Sequence, residues 1–213
     1  MPAGLTIFNT AGTVQVDQLY RNLALAAVAI VSTGPAYVGS SYSIASFTIS
    51  GTAPTVALRC SVSACVEYVD RSGSSWTFYI RANSPTAVTV TYYVFDVIAT
   101  MPTTYGFEVR DDTGNPVFHS ALKYMRVVDA IKGKSAGQYG NRVYDTSRVY
   151  AWVTSVTPMY SFSSAGLLEN RITGASAITG GVSIGKIVLS SIPAGGGAEP
   201  YDFSGLVLDV TNY

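Results

Sequence analysis

Histidine occurs once in this 213-residue chain, cysteine twice, and charged residues make up only 12%. Each shortage excludes something. One histidine leaves a single imidazole for acid–base work. Two cysteines cannot build the disulfide framework of a small secreted domain. Thirteen basic residues against thirteen acidic ones leave no basic excess to neutralise phosphates, so the composition argues against a nucleic-acid binder. The longest apolar run, Leu23 to Val31, is far short of the roughly 20 residues a membrane helix needs, which argues against membrane insertion. The opening Met1-Pro2-Ala3-Gly4 lacks the basic start of a secretory leader. The expectation is synthesis in a cytosol, with both cysteines as thiols.

What is present points to a folded protein that associates. Hydrophobic residues reach 48%, enough buried surface to offset chain entropy, so disorder is excluded. Fifteen tyrosines and twenty glycines accompany a charge content about half the roughly 25% usual for soluble domains. A neutral surface of low charge density tends to associate. Much of the surface is therefore expected to be covered by other subunits, the alternative being a monomer coated with Ser, Thr and Tyr.

The texture is β throughout, with short Val, Ile, Tyr, Phe and Thr runs cut by Gly, Pro, Ser and Asn. The clearest alternation runs from Val56 to Tyr68. Its even positions Val56, Leu58, Cys60, Val62, Ala64 and Val66 are apolar, and its odd positions include Arg59, Ser61, Ser63 and Glu67. A single straight strand there puts Cys60 and Cys65 on opposite faces, unlinked. Further strands are expected at Leu23–Val31, Tyr42–Ile49, Trp76–Arg81, Ala87–Val97, Val149–Val156, Val182–Ser190 and Leu206–Val210. Ser72-Gly73, Asn83-Ser84-Pro85 and Gly195-Gly196-Gly197 read as turns.

An internal echo organises the chain. Residues 4–25 align without a gap on residues 106–127, matching Gly4 with Gly106, Asn9 with Asp111 and Gly12 with Gly114. Each copy reads as strand, Asx-x-x-Gly turn, strand, with the Asx side chain holding the turn and the glycine taking the positive φ. Val94-Phe95-Asp96-Val97 recurs as Val207-Leu208-Asp209-Val210. The expected fold is all-β: two tandem antiparallel β-sandwich-like domains related by internal duplication. Residues 1–98 form the first, 99–105 a linker and 106–213 the second.

Chemistry finds little purchase, and the reading is that the chain is not an enzyme and takes no cofactor or metal. His119 reads as a solvent-facing hairpin residue and Asp111-Asp112 as a turn initiator rather than a Ca²⁺ loop. Asp96 and Asp209, flanked by apolar neighbours, either face solvent or bond across the sheet to fix register. Gly180-Gly181 lacks the strand–turn–helix context of a phosphate loop. Paired carboxylates of a glycosidase would have to come from Glu67, Asp70, Glu108, Glu169 and Glu199, whose spacing is uninformative. The tyrosines, including Tyr92, Tyr93, Tyr139, Tyr144, Tyr150 and Tyr160, suit subunit interfaces or sugar stacking.

Pro2 to Gly12 (PAGLTIFNTAG), then Val14, Val16-Asp17, Tyr20-Arg21-Asn22-Leu23 and the strand Tyr92-Tyr93-Val94-Phe95-Asp96, resemble a little-characterised family of tailed-bacteriophage proteins. Members open M-P-x-G-[LF]-x-[IV]-[FW]-N-x-x-G. The resemblance covers roughly residues 2–25 and 87–127. It implies a virion protein of the distal tail (tip, baseplate or fibre attachment), made in the host cytoplasm, whose partners are other tail proteins and copies of itself. One departure is Arg110-Asp111 where the first copy has Phe8-Asn9, so the two hairpins would dock different neighbours. The interface is expected to draw on Leu5, Ile7 and Phe8 of the first hairpin and on Tyr92, Tyr93 and Phe95. The rival expectation is a receptor-binding module for a host surface polysaccharide or pilus.

Overall fold

β-branched and aromatic runs interrupted every few residues by turn formers cannot sustain a helical stripe, and no helix forms among the described residues. A computed structural model describes residues 6–8, 14–17, 22–97, 105–134, 139–156, 160–164, 167–193 and 202–213. Its strands are β1 (Thr6–Phe8), β2 (Val14–Asp17), β3 (Ala24–Ser32), β4 (Gly34–Pro35), β5 (Ser43–Ser50), β6 (Thr55–Cys60), β7 (Ala64–Ser72), β8 (Ser75–Ala82) and β9 (Thr89–Asp96). They continue with β10 (Glu108–Arg110), β11 (Pro116–His119), β12 (Val127–Lys134), β13 (Gly140–Val143), β14 (Tyr150–Val156), β15 (Tyr160–Ser164), β16 (Leu167–Ile178), β17 (Gly181–Pro193) and β18 (Asp202–Asp209).

Two antiparallel sheets face each other. One has six strands in the order β12-β18-β14-β6-β9-β3. The other runs β13-β17-β16-β7-β8-β5-β4, with β15 also paired to β16. The six-stranded order is palindromic: outward from β6 and β14, each half places the second, last and first of its three strands. The other sheet runs β7-β8-β5 on one side and β16-β17-β13 on the other, with β4 added beyond β5. The all-β, duplicated sandwich expected from the sequence is thus observed, with the two repeats sharing continuous sheets rather than standing apart.

The repetition extends to register. In the first hairpin Thr6 faces Asp17, Ile7 faces Val16, and a bulge separates Ile7 from Phe8. In the second, Glu108 faces His119, Val109 faces Phe118, and the bulge separates Val109 from Arg110. β3 meets β9 with Leu25 opposite Phe95 and Ala27 opposite Val94 across a one-residue bulge. β12 meets β18 with Val127 opposite Leu208 and Asp129 opposite Val207 across the same bulge. Both sequence echoes are therefore structural repeats. Of the expected linker 99–105, only Tyr105 lies among the described residues.

The repeats join at two strand pairs. Trp152 faces Leu58 and Val153 faces Ala57 between β14 and β6, and Ala175 faces Ala64 between β16 and β7. Ala57 and Val153 hold equivalent places, opposite Tyr93 and Leu206. The pair therefore sits on a local two-fold axis. Between the sheets, Val56, Leu58, Phe78, Ile80, Val90 and Val94 fill the first repeat, and Ile131, Trp152, Val182, Ile184, Phe203 and Val207 fill the second. The other face of the six-stranded sheet carries Ala57, Tyr93, Phe95, Ala151, Val153 and Leu208, against which Leu23, Leu25, Met125 and Tyr213 pack. The strand entries pair over this cluster: Leu25 N donates to Lys123 O at 2.6 Å, and Met125 N to Leu23 O at 2.9 Å.

The single strand expected from Val56 to Tyr68 is corrected to two. The chain leaves the six-stranded sheet at Cys60, turns through Ser61–Ser63, and enters the eight-stranded sheet at Ala64. Asn83 N, donating to Ser63 O at 2.8 Å, holds the corner. Alternation cannot reveal such a crossing, because each facing sheet presents an apolar side to the same core. Strands β4, β12, β13, β15 and β16 lie outside the strands expected from the sequence. β16 contains Glu169-Asn170-Arg171, a poor strand sequence in isolation. Here Glu169 accepts from Arg171 Nη2 at 2.5 Å and Lys186 Nζ at 3.0 Å, so the charges are paired within the sheet.

Packing is tightest where Trp152, 1% exposed, lies over Gly205. A Cβ at Gly205 would sit 2.1 Å from Trp152 Cζ2 and 2.6 Å from Val153 O. Gly205→Ala is expected to cost about 1–3 kcal/mol of overpacking strain in denaturant unfolding, whereas Gly34→Ala, with nothing within 4 Å of its Cβ position, should be near neutral. Equal effects of the two substitutions would contradict this packing. Cys60 and Cys65 are free and buried, and burial pushes both thiols up from their ordinary range. Neither should react with a thiol reagent until the protein unfolds. A 60–65 bridge in non-reduced peptides would contradict the fold.

Candidate functional site

The two aspartates of the second echo are buried toward opposite ends of the six-stranded sheet, Asp96 8% and Asp209 2% exposed. Asp96 accepts backbone N–H groups from Thr52 (2.8 Å), Ala53 (2.8 Å) and Val97 (2.7 Å). Asp209 accepts from Arg148 Nη1 at 2.7 Å, Thr211 N at 2.9 Å and Arg126 Nη2 at 3.4 Å. Both therefore tie the loop before an inner strand to the end of the last strand. This is the structural role rather than the solvent-facing one, exerted on loops and not across the ladder. Arg126 also lies 4.5 Å over the Tyr213 ring, and Tyr213 Oη donates to Tyr124 O.

His119 is not solvent-facing. It is 3% exposed; its Nδ1 accepts from Ala121 N at 3.1 Å, and its backbone N donates to Tyr124 Oη at 2.5 Å. Burial follows from the tight approach of Gly106, where a Cβ would meet His119 Cε1 at 2.7 Å. Asp111 does initiate its turn. Its Oδ1 accepts from Thr113 Oγ1 (2.7 Å), Thr113 N (3.0 Å) and Asn115 N (2.7 Å), while Gly114 takes φ +83°. Thr113 first, then Asn115, hold this carboxyl down to about 2. Among the described residues no group of three His, Cys, Asp or Glu side chains is placed to hold a metal ion.

The interface candidates are redistributed. Phe95 is fully buried and Tyr93 7% exposed, both in the apolar cluster on the outer face of the six-stranded sheet. Tyr92 points the other way and stacks on Phe47, ring centroids 3.8 Å apart. This strand lies between β6 and β3, and its two faces pack in the core and in the outer cluster, so both serve the chain's own packing. Tyr144 and Tyr150 pack in the second repeat's core. Leu5 and the side chains of Ile7, Phe8 and Tyr160 lie outside the described residues.

Exposure concentrates elsewhere, beginning with the sheet edges. Edge strands present unpaired N–H and C=O groups, which proteins guard with charge, proline, bulges or brevity. β4 is two residues long and ends in Pro35. β13 is four residues with Arg142. β12 carries Asp129, Lys132, Gly133 and Lys134. β3, with sequence ALAAVAIVS, has no charge, proline or glycine. Among the described residues its first two residues pair outward with Tyr124 and its neighbours, and from Ala27 to Ser32 it pairs on one side only, with β9. Val28 is 42% and Ile30 67% exposed. β3 and β12 share the early bulge, and beyond it Ala27–Ser32 runs regularly against β9. Sequence reading marked the apolar run but not its edge position, which follows only from the strand order.

The second surface is on the outer face of the eight-stranded sheet. Tyr68 stacks on Tyr79 with centroids 4.1 Å apart and planes at 13°. Arg81 Nε pairs with Glu67 Oε2 at 2.5 Å, and the Arg81 guanidinium lies 4.5 Å over Tyr42. Ile44 and Ser46 complete a shallow groove of about 380 Å³. A larger cleft of about 540 Å³ lies between the repeats beside Arg59, Thr146 and Arg148, where Arg148 is committed to Asp145 and Asp209. Comparison with protein-family models, curated proteins and solved structures finds no match.

Burial works against ionisation of Asp209. The hydrogen bonds from Thr211 and Arg148, with the Arg126 charge, outweigh it and hold the carboxyl below its usual range. Its folded value is therefore lower than the unfolded value of about 3.9. The stability it supplies is complete above that value and is lost as pH falls through the folded one. Asp209→Asn should cost about 2 kcal/mol at neutral pH and flatten the acid limb of the stability–pH curve. An unchanged acid limb would show that this carboxylate is not stabilised by folding.

Proposed function

We propose that this chain is a structural virion protein of a bacteriophage tail, acting at the tail tip, baseplate or fibre attachment through subunit–subunit assembly. The observation that carries the assembly reading is the unguarded β3 edge. An open, wholly uncharged edge from Ala27 to Ser32, with exposed Val28 and Ile30, is an aggregation hazard unless another strand covers it. Strand addition satisfies its main-chain groups and buries its side chains in one step. The scarcity of charge supports the same reading, because several of the few charges are committed within the chain, as Glu67–Arg81, Glu169–Arg171 and Asp209–Arg148. The tail assignment itself is supported by the resemblance of Pro2–Gly12 and Tyr92–Asp96 to tail-associated proteins.

A second reading is favoured by the groove between Tyr68, Tyr79 and the Glu67–Arg81 pair. Stacked rings beside a paired carboxylate and guanidinium suit a host surface glycan. Immunogold labelling of virions is expected to mark the distal tail, and labelling of the head, or of no particle, would defeat the tail assignment. If purified protein binds host polysaccharide and Tyr68→Ala abolishes that binding, the receptor-binding role gains the groove as its site.

A further inference from the structure

We infer that the Ala27–Ser32 edge of β3 is where two copies of this chain pair, antiparallel across a two-fold axis, to make one continuous sheet from two six-stranded ones. The inference rests on the assembly reading above and names the partner. Three observations select a second copy.

The first is the absence of charge along β3. A strand paired with its own copy places like residues near one another, so any charge would meet itself in some register. Ala27-Val28-Ala29-Ile30-Val31-Ser32 carries none, and every antiparallel register is free of repulsion. Its β-branched residues suit cross-strand packing.

The second is the contrast with β12, the equivalent strand at the opposite end of the same sheet. Counted from the shared bulge, Ile30 stands opposite Thr91 where Lys132 stands opposite Ser204. Ser32 stands opposite Thr89 where Lys134 stands opposite Asp202. The duplicated strands have thus diverged at matched positions, one towards lysine and one away from it. Pairing β3 of one copy with β12 of the next would be head-to-tail and would propagate into a ring or an open filament. Lys132 and Lys134 oppose that contact. Pairing β3 with β3 closes after two copies.

The third is that this fold already joins to itself in this manner. β6 and β14 are equivalent strands, and they meet antiparallel about the Ala57–Val153 pair. An antiparallel edge-to-edge union of two repeats is therefore compatible with the twist and facing sheets of this sandwich.

The test uses the full chain and the residues of its own sister strand. Wild-type protein should sediment as a dimer, and its thermal midpoint should rise with concentration. Ile30→Lys with Ser32→Lys copies the guarded edge into β3. Ile30 is already 67% exposed, so the fold should persist by circular dichroism while the dimer is lost. The reciprocal Lys132→Ile with Lys134→Ser removes the guard from β12 and should produce species larger than a dimer. A wild type that stays monomeric at all concentrations, or a dimer indifferent to the β3 lysines, would overturn self-pairing. A monomer that nevertheless labels the distal tail would overturn self-pairing alone and leave the assembly reading standing. A β3-dependent dimer absent from virions would do the reverse, supporting self-pairing and ending the tail assignment.

Discussion

Unpaired backbone at a sheet edge is the constraint around which this molecule is arranged. Each repeat, taken alone, would expose the inner edges of two sheets, at β6 and β7 or at β14 and β16. Fusion of the repeats satisfies these edges by pairing each with its own equivalent. That leaves four outer ends, of which three carry brevity, proline, glycine or charge and one carries none. The position of Trp152 shows how closely the fusion is packed. It faces Leu58 of the first repeat across the junction and lies over Gly205 of the second.

The same arrangement explains where the polar residues went. A junction made of Ala57, Leu58, Trp152 and Val153 has no polar group with which to set its alignment. The loops leading into the inner strands are instead anchored by Asp96 and Asp209. The two solutions differ chemically. The first repeat satisfies its buried carboxylate with neutral backbone N–H groups, and the second uses two guanidinium groups. Buried charge needs such compensation. The Arg126 that supplies part of it in the second repeat also stacks on Tyr213, so one side chain serves both the carboxylate and the outer apolar cluster.

The short-range features could be read from the residues alone. Asn9 and Asp111 with their glycines named the two hairpins, because an Asx turn is a local event. The V-[FL]-D-V echo named the two closing strands. Long-range features could not be read in that way. Val56–Tyr68 shows unbroken alternation, yet the chain changes sheet within it. Tyr93 and Phe95 look like surface aromatics in a list of residues, but their burial depends on Leu25 and Tyr213 arriving from elsewhere. The exposure of Val28 and Ile30 within Leu23–Val31 is the clearest case. Nine apolar residues suggest a central strand, and only strand order places them at an edge.

The position of β9 and β18 in the six-stranded sheet has a consequence during synthesis. Each is the last strand of its repeat, yet each is inserted between the earlier two, β9 between β3 and β6, and β18 between β12 and β14. Neither half-sheet can zip up until its final strand leaves the ribosome. At translation rates of about 5–20 residues per second, β3 emerges and waits several seconds without a partner. Nascent chains on the same messenger meanwhile hold identical uncharged segments close together. A cell making this protein rapidly therefore faces its greatest risk of entanglement on the polysome, before the first repeat has closed.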